Sequence, residues 1–189
     1  MRTQLLSVSV ALILLLLAPL AEAHELQDNR ATLVLRDKTH VTLTLYIVYA
    51  EALHQTLAPQ RPLQEFLLVY SAMKPEQLQK ELIGAQVKWQ ATTKVFTSAG
   101  VETTLTNWAW PDIKQVQMYL QQRVMQAMVD PAGHAHLAPL EIHAGANSQQ
   151  EIASVKVQFP EEFHKVLVVA YKPSQLYVER KTVSPTIKF

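Results

Sequence analysis

The sequence predicts an α+β fold: an antiparallel β-sandwich or sheet built from N- and C-terminal strands, with a helical insertion packed on it. Three observations carry this prediction. Residues 31–49 alternate apolar and polar side chains with period two. Residues 62–92 and 112–128 place their apolar residues three and four apart. The last third returns to short apolar runs separated by proline and polar stretches.

The chain opens with an export signal. Arg2 supplies the positive start, residues 5–17 are apolar apart from Ser7 and Ser9, Pro19 breaks the run, and Ala21-Glu22-Ala23 offers small residues at both positions that a signal peptidase reads. The apolar core is shorter than the roughly 20 residues a membrane span needs. Residues 1–23 are therefore expected to be a cleaved signal peptide, and residues 24–189 a single exported α+β domain in the periplasm. No membrane span is expected after cleavage.

The first strands form a hairpin. Ala31, Leu33 and Leu35 share one face, Val41, Leu43, Leu45 and Ile47 share another, and Arg36 to Thr39 supply the polar turn. Helices follow. Leu63, Phe66, Leu67 and Tyr70 make one stripe, and a second helix starts at Pro75 with Leu78, Leu82 and Ala85 inward. Residues 94–110 read as strands turning at Ala99-Gly100. Asp112 then opens a third helix, at the end where the helix dipole favours a carboxylate. Its stripe is Ile113, Val116, Leu120, Val124 and Met128, and Asp130 to Gly133 close it. Four strands are expected at Leu140–Ala144, Ile152–Phe159, Val166–Tyr171 and Leu176–Glu179, divided by residues 145–148, Pro160 and Pro173.

The formal net charge is +1, with no basic surplus to attract nucleic acid. The absence of cysteine removes disulfides, thiolate metal sites and cysteine nucleophiles. No G-x-S-x-G, phosphate-binding glycine loop or H-E-x-x-H is present, so the chain reads as non-enzymatic.

Histidine offers the one ligand chemistry. Cleavage after Ala23 would make His24 the first residue, where its α-amine and imidazole form a bidentate nitrogen chelate suited to copper. His134 and His136, two apart in Gly133-His134-Ala135-His136, share a face if extended, and Glu141 and His143 share one in the next strand. Together these are candidate metal residues for copper, nickel or zinc. The plainer account of the pair is a solvated loop. Met118, Met125 and Met128 on one helix read as core packing. Trp108 and Trp110 read as core or as a binding shelf.

Ala23-His24-Glu25-Leu26, the hairpin from Ala31 to Tyr49, and the strands Val155–Pro160 and Val166–Pro173 resemble the exported N-terminal region of HupE/UreJ-like membrane proteins. Those proteins are associated with the transport of nickel or other metals. The resemblance covers scattered parts of the chain, holds no ligand motif, and is not continued here by membrane helices. It implies work in an envelope or metal-transport system and assigns no residue a role. The leading expectation is an accessory domain that binds another envelope protein. A periplasmic copper or nickel module using His24 is the alternative, and an enzyme is the third.

Overall fold

The computed structural model describes residues 29–97, 100–129 and 137–173 of the chain. The expected signal peptide, His24, the closing turn at Asp130–Gly133, His134, His136 and the strand expected at Leu176–Glu179 lie outside the described residues.

The fold is α+β. Strand β1 (Asn29–Arg36) pairs with β2 (His40–Ile47) as the expected antiparallel hairpin. Their alternation decides which face is covered. Ala31, Leu33, Val41, Leu43, Leu45 and Ile47 are all buried, while Thr32, Thr42 and Thr44 point the other way. The turn holds Asp37 and Lys38 at φ of 46° and 60°. These left-handed residues are held by outside contacts: Ser148 N donates to Thr39 O (2.9 Å) and Ile152 N to Lys38 O (2.7 Å).

Among the described residues four helices pack on the buried face. Helix α1 (Tyr49–Leu57) starts two residues after β2 ends. The sequence reading carried the strand through Tyr49 and is corrected here. Tyr49, Ala50, Ala52 and Leu53 are buried together, which a helix allows and an alternating strand does not. Helix α2 (Leu63–Ser71) buries Phe66, Leu67 and Tyr70, and α3 (Pro75–Thr92) buries Leu78, Leu82, Ala85 and Trp89. Strands β3 (Lys94–Thr97) and β4 (Glu102–Thr103) form a hairpin turning at Gly100, whose φ of 74° suits glycine. Strand β5 (Thr106–Ala109) precedes α4 (Ile113–Val129). Asp112 and Gln115 cap α4 reciprocally: Gln115 N donates to Asp112 Oδ1 (2.8 Å) and Asp112 N to Gln115 Oε1 (3.0 Å).

Strand β6 (Leu140–Asn147) runs three residues further than expected. Gly145 reads as a breaker in sequence, but it pairs with Thr42 on one side and Thr106 on the other, and both ladders hold it extended. Strand β7 (Val155–Gln158), a 3₁₀ turn at Glu161–Phe163 and β8 (Val166–Tyr171) complete the described chain.

The described strands form two sheets, one ordered β5-β6-β2-β1-β8 and one ordered β4-β3-β7. One pairing departs from the antiparallel expectation: β8 lies parallel to β1, from Asn29↔Val166 to Val34↔Tyr171. The cause is local. Asn29 Nδ2 donates to Phe163 O (2.6 Å) while its Oδ1 accepts from Val48 N (2.7 Å). The 3₁₀ turn is thereby held at the start of β1, and β8 leaves in the same direction.

The core centres on Trp89, which is fully buried. Tyr49 and Phe163 meet its ring edge-on at centroid distances of 5.3 and 5.2 Å. Such pairs contribute about 0.5–1.5 kcal/mol each beyond area burial. Its indole N–H donates to Thr56 Oγ1 (2.9 Å), and that hydroxyl donates to Ala52 O (2.7 Å), so the buried polar atom is satisfied.

Candidate functional site

The described part of the candidate metal set is His143, on the outer face of β6. Glu141 and His143 share that face as expected, with Glu141 Oε2 3.3 Å from His143 Nε2. His143 Nδ1 lies 3.1 Å from Thr44 Oγ1 on the neighbouring strand. Both ring nitrogens therefore already face protein oxygens. Further along the same face, His40 Nδ1 lies 2.6 Å from Asn147 Oδ1. His40 and His143 stand opposite Asn147 and Thr44 respectively, so they belong to different rungs of the ladder. Among the described residues no group of three or more His, Asp or Glu side chains could hold a metal ion. Of the other histidines, His54 is buried, with Nε2 2.6 Å from Arg61 O and its ring against Phe66.

A second polar cluster joins α1 to α4 through the ion pair of Glu51 and Arg123. Tyr119 sits beside it. Burial and the neighbouring Glu51 carboxylate push its phenol up to about 12, against the pull of Arg123. Glu51 Oε2 and Arg123 Nε are buried without a hydrogen-bond partner. A half-satisfied pair of this kind gives little net stability, because desolvation offsets its attraction.

The two edges of the larger sheet differ in chemistry. At the β5 edge the register breaks between Thr106 and Ala109, and Asn107 takes a φ of 54°. Trp108 and Trp110 stack at 5.3 Å with planes 10° apart, and Trp110 continues inward to Trp89 at 6.1 Å. Both tryptophans are half-buried against the core. Bulges and irregular pairing are devices that stop a foreign strand from adding to an edge.

The β8 edge carries no such device. Val166 to Tyr171 contains no charge, proline or glycine, and pairs with β1 without interruption. Leu167 (43% exposed) and Tyr171 (57%) lie on one face, and Val168 (40%) lies on the other. Apolar residues on both faces are the pattern of a strand covered on both sides inside a sheet. Among the described residues they stand at its rim, where one row of backbone N–H and C=O groups has no neighbouring strand.

Sequence reasoning located the β8 strand but not its place at an edge, and it missed the Glu51–Arg123 pair. It also put Met118, Met125 and Met128 in the core. That reading is corrected: they are 55%, 61% and 65% exposed. The inward face of α4 is Val116, Tyr119 and Leu120, about half a turn around the helix from Met118 and Met125. No helix among the described residues is long and apolar enough to cross a membrane. Comparison with family models, with curated proteins and with solved structures gives no match to the chain.

Proposed function

We propose that the protein is an exported, non-enzymatic accessory domain that binds another envelope protein by adding a strand of that partner to the β8 edge. The observation that carries this reading is the uninterrupted apolar β8 strand, which forms an exposed edge among the described residues, opposite a guarded β5 edge. Strand addition draws affinity from a backbone row that no described strand pairs with, and selectivity from alternate side chains, here Leu167, Val169 and Tyr171 on one face and Val168 and Ala170 on the other. The signal-like residues 1–23 support export, and the resemblance to HupE/UreJ-like exported regions supports an envelope or metal-transport setting.

The test places a photo-crosslinking side chain at Val168 and, separately, at Thr106, in the protein exported by its native host. One discrete adduct from Val168, none from Thr106, and loss of the adduct on Leu167→Lys is the expected result. Equal labelling at both edges, or none at β8, would remove the edge as the docking element.

A further inference from the structure

The outward face of α4 carries an oxidisable chemistry that the β8 edge does not use. Met118, Met125 and Met128 are each more than half exposed. Their sulfurs are therefore open to solvent in the folded molecule, whereas a core methionine meets an oxidant only when the fold opens. Met73 is the contrast within the same chain, since it is half-buried and packed against the core. The chain has no cysteine, so no thiol competes for the oxidant. The attachment of α4 lies elsewhere on the helix. Val116, Tyr119 and Leu120 are buried, Arg123 pairs with Glu51, and Gln117 Nε2 donates to Met73 O (2.9 Å). None of these contacts uses a methionine side chain of α4.

We propose that this face is a reversible oxidation site, at which a two-electron oxidant of the peroxide class converts Met118, Met125 and Met128 to sulfoxides in the folded protein. A sulfur lone pair takes one oxygen of the peroxide as the O–O bond breaks. The hydrogen on that oxygen passes to the departing hydroxide, which leaves as water. Sulfur is oxidised by two electrons and the peroxide is reduced by two. A dithiol-dependent methionine sulfoxide reductase reverses the step: the oxygen leaves as water and the dithiol becomes a disulfide. The surroundings suit the product. Gln121 and Gln122 stand three or four residues from both Met118 and Met125, the separations at which helical side chains are neighbours, and all four line one open groove. Carboxamide N–H groups are donors, and a thioether sulfur is only a weak acceptor for them. Gln121 directs one N–H to Ser71 O (3.4 Å) and has a second to give. Lys114, exposed four residues before Met118, adds a charged donor. Oxidation replaces an apolar side chain with a polar one, so the groove changes character while the core beneath it does not.

The test treats protein exported from the full chain with hydrogen peroxide and maps the oxygen by peptide mass. Sulfoxide should form at Met118, Met125 and Met128 at least about tenfold faster than at Met73. The trisulfoxide should keep the circular dichroism and melting temperature of the reduced protein, and should elute earlier from a hydrophobic-interaction column. Methionine sulfoxide reductases of both epimer specificities, with dithiothreitol, should restore the mass and the elution. Met118→Leu, Met125→Leu and Met128→Leu together should leave the fold intact and abolish both the fast oxygen uptake and the elution shift. Equal rates at Met73, a melting temperature that falls with the first sulfoxide, or an elution shift that persists in the leucine variant would overturn the inference. The β8 adduct is read separately, so either proposal can fail alone.

Discussion

The two edges of the larger sheet solve the same problem in opposite ways. Strand β5 is four residues long, breaks register, and is anchored from behind by Trp110 on Trp89. Strand β8 is six residues long, regular and apolar on both faces; it pairs with β1 along its length, and the turn that leads into it is tethered where Asn29 holds the Phe163 carbonyl. The difference teaches that edge protection here is selective. Among the described residues one edge is kinked and pinned and the other is uncovered, and the uncovered one is the more hydrophobic.

The largest effect expected from this contrast is at β5. If its tryptophans are anchors, Trp110→Ala should destabilise the fold by about 2–4 kcal/mol, in the range of large core truncations reduced for partial exposure. Urea unfolding measures this, and a loss below about 0.5 kcal/mol would make the stacked pair a surface shelf instead. Next is the anchor of β8. Asn29→Ala removes the acceptor of Val48 N–H and the donor to Phe163 O, and should cost about 1–3 kcal/mol. Hydrogen exchange should then quicken in β8 before β6; uniform acceleration would show that β8 is not separately tethered.

The smallest effect concerns Glu162, in the 3₁₀ turn that leads into β8. Partial burial alone would raise its carboxyl, but the hydrogen bond and charge of Lys88 outweigh this and hold it below the usual carboxylate range. Because the folded value is lowered, the contribution is present above the unfolded carboxyl range and is lost as pH falls through the folded value. Glu162→Gln should therefore lower the melting temperature slightly at pH 7, with the gap from wild type closing in acid. An undiminished gap at the acid end would assign the effect to packing.

How much of this was legible in sequence depended on whether a pattern had one physical reading. The β1–β2 alternation did. Slipping it by one residue would expose Leu33, Leu43 and Leu45 together, so the register was fixed. The α3 stripe was equally clear, because Leu78, Leu82 and Ala85 lie on one side of a helix with glutamines and lysines on the other. Strand β8 was different: a short apolar run looks the same at the centre of a sheet or at its rim. Helix α4 was legible in its inward stripe, with Val116 and Leu120 buried and Ile113 and Val124 packed on the core, and misled only in its methionines, because Met118 and Met125 form a second apolar face that meets solvent. The shared face of Glu141 and His143 was legible from their separation of two, whereas the cross-strand contact of His143 with Thr44 required pairing between β2 and β6.

The parallel pairing of β1 with β8 also has a dimension in time. Asn29 finds its partner Phe163 only after 134 further positions of chain. The first hairpin can close early, yet the flank of β1 that the finished molecule hides stays bare until the last described strand arrives. A chain truncated before Val166 would carry that flank permanently, and an interior strand of the native sheet would become an adhesive edge.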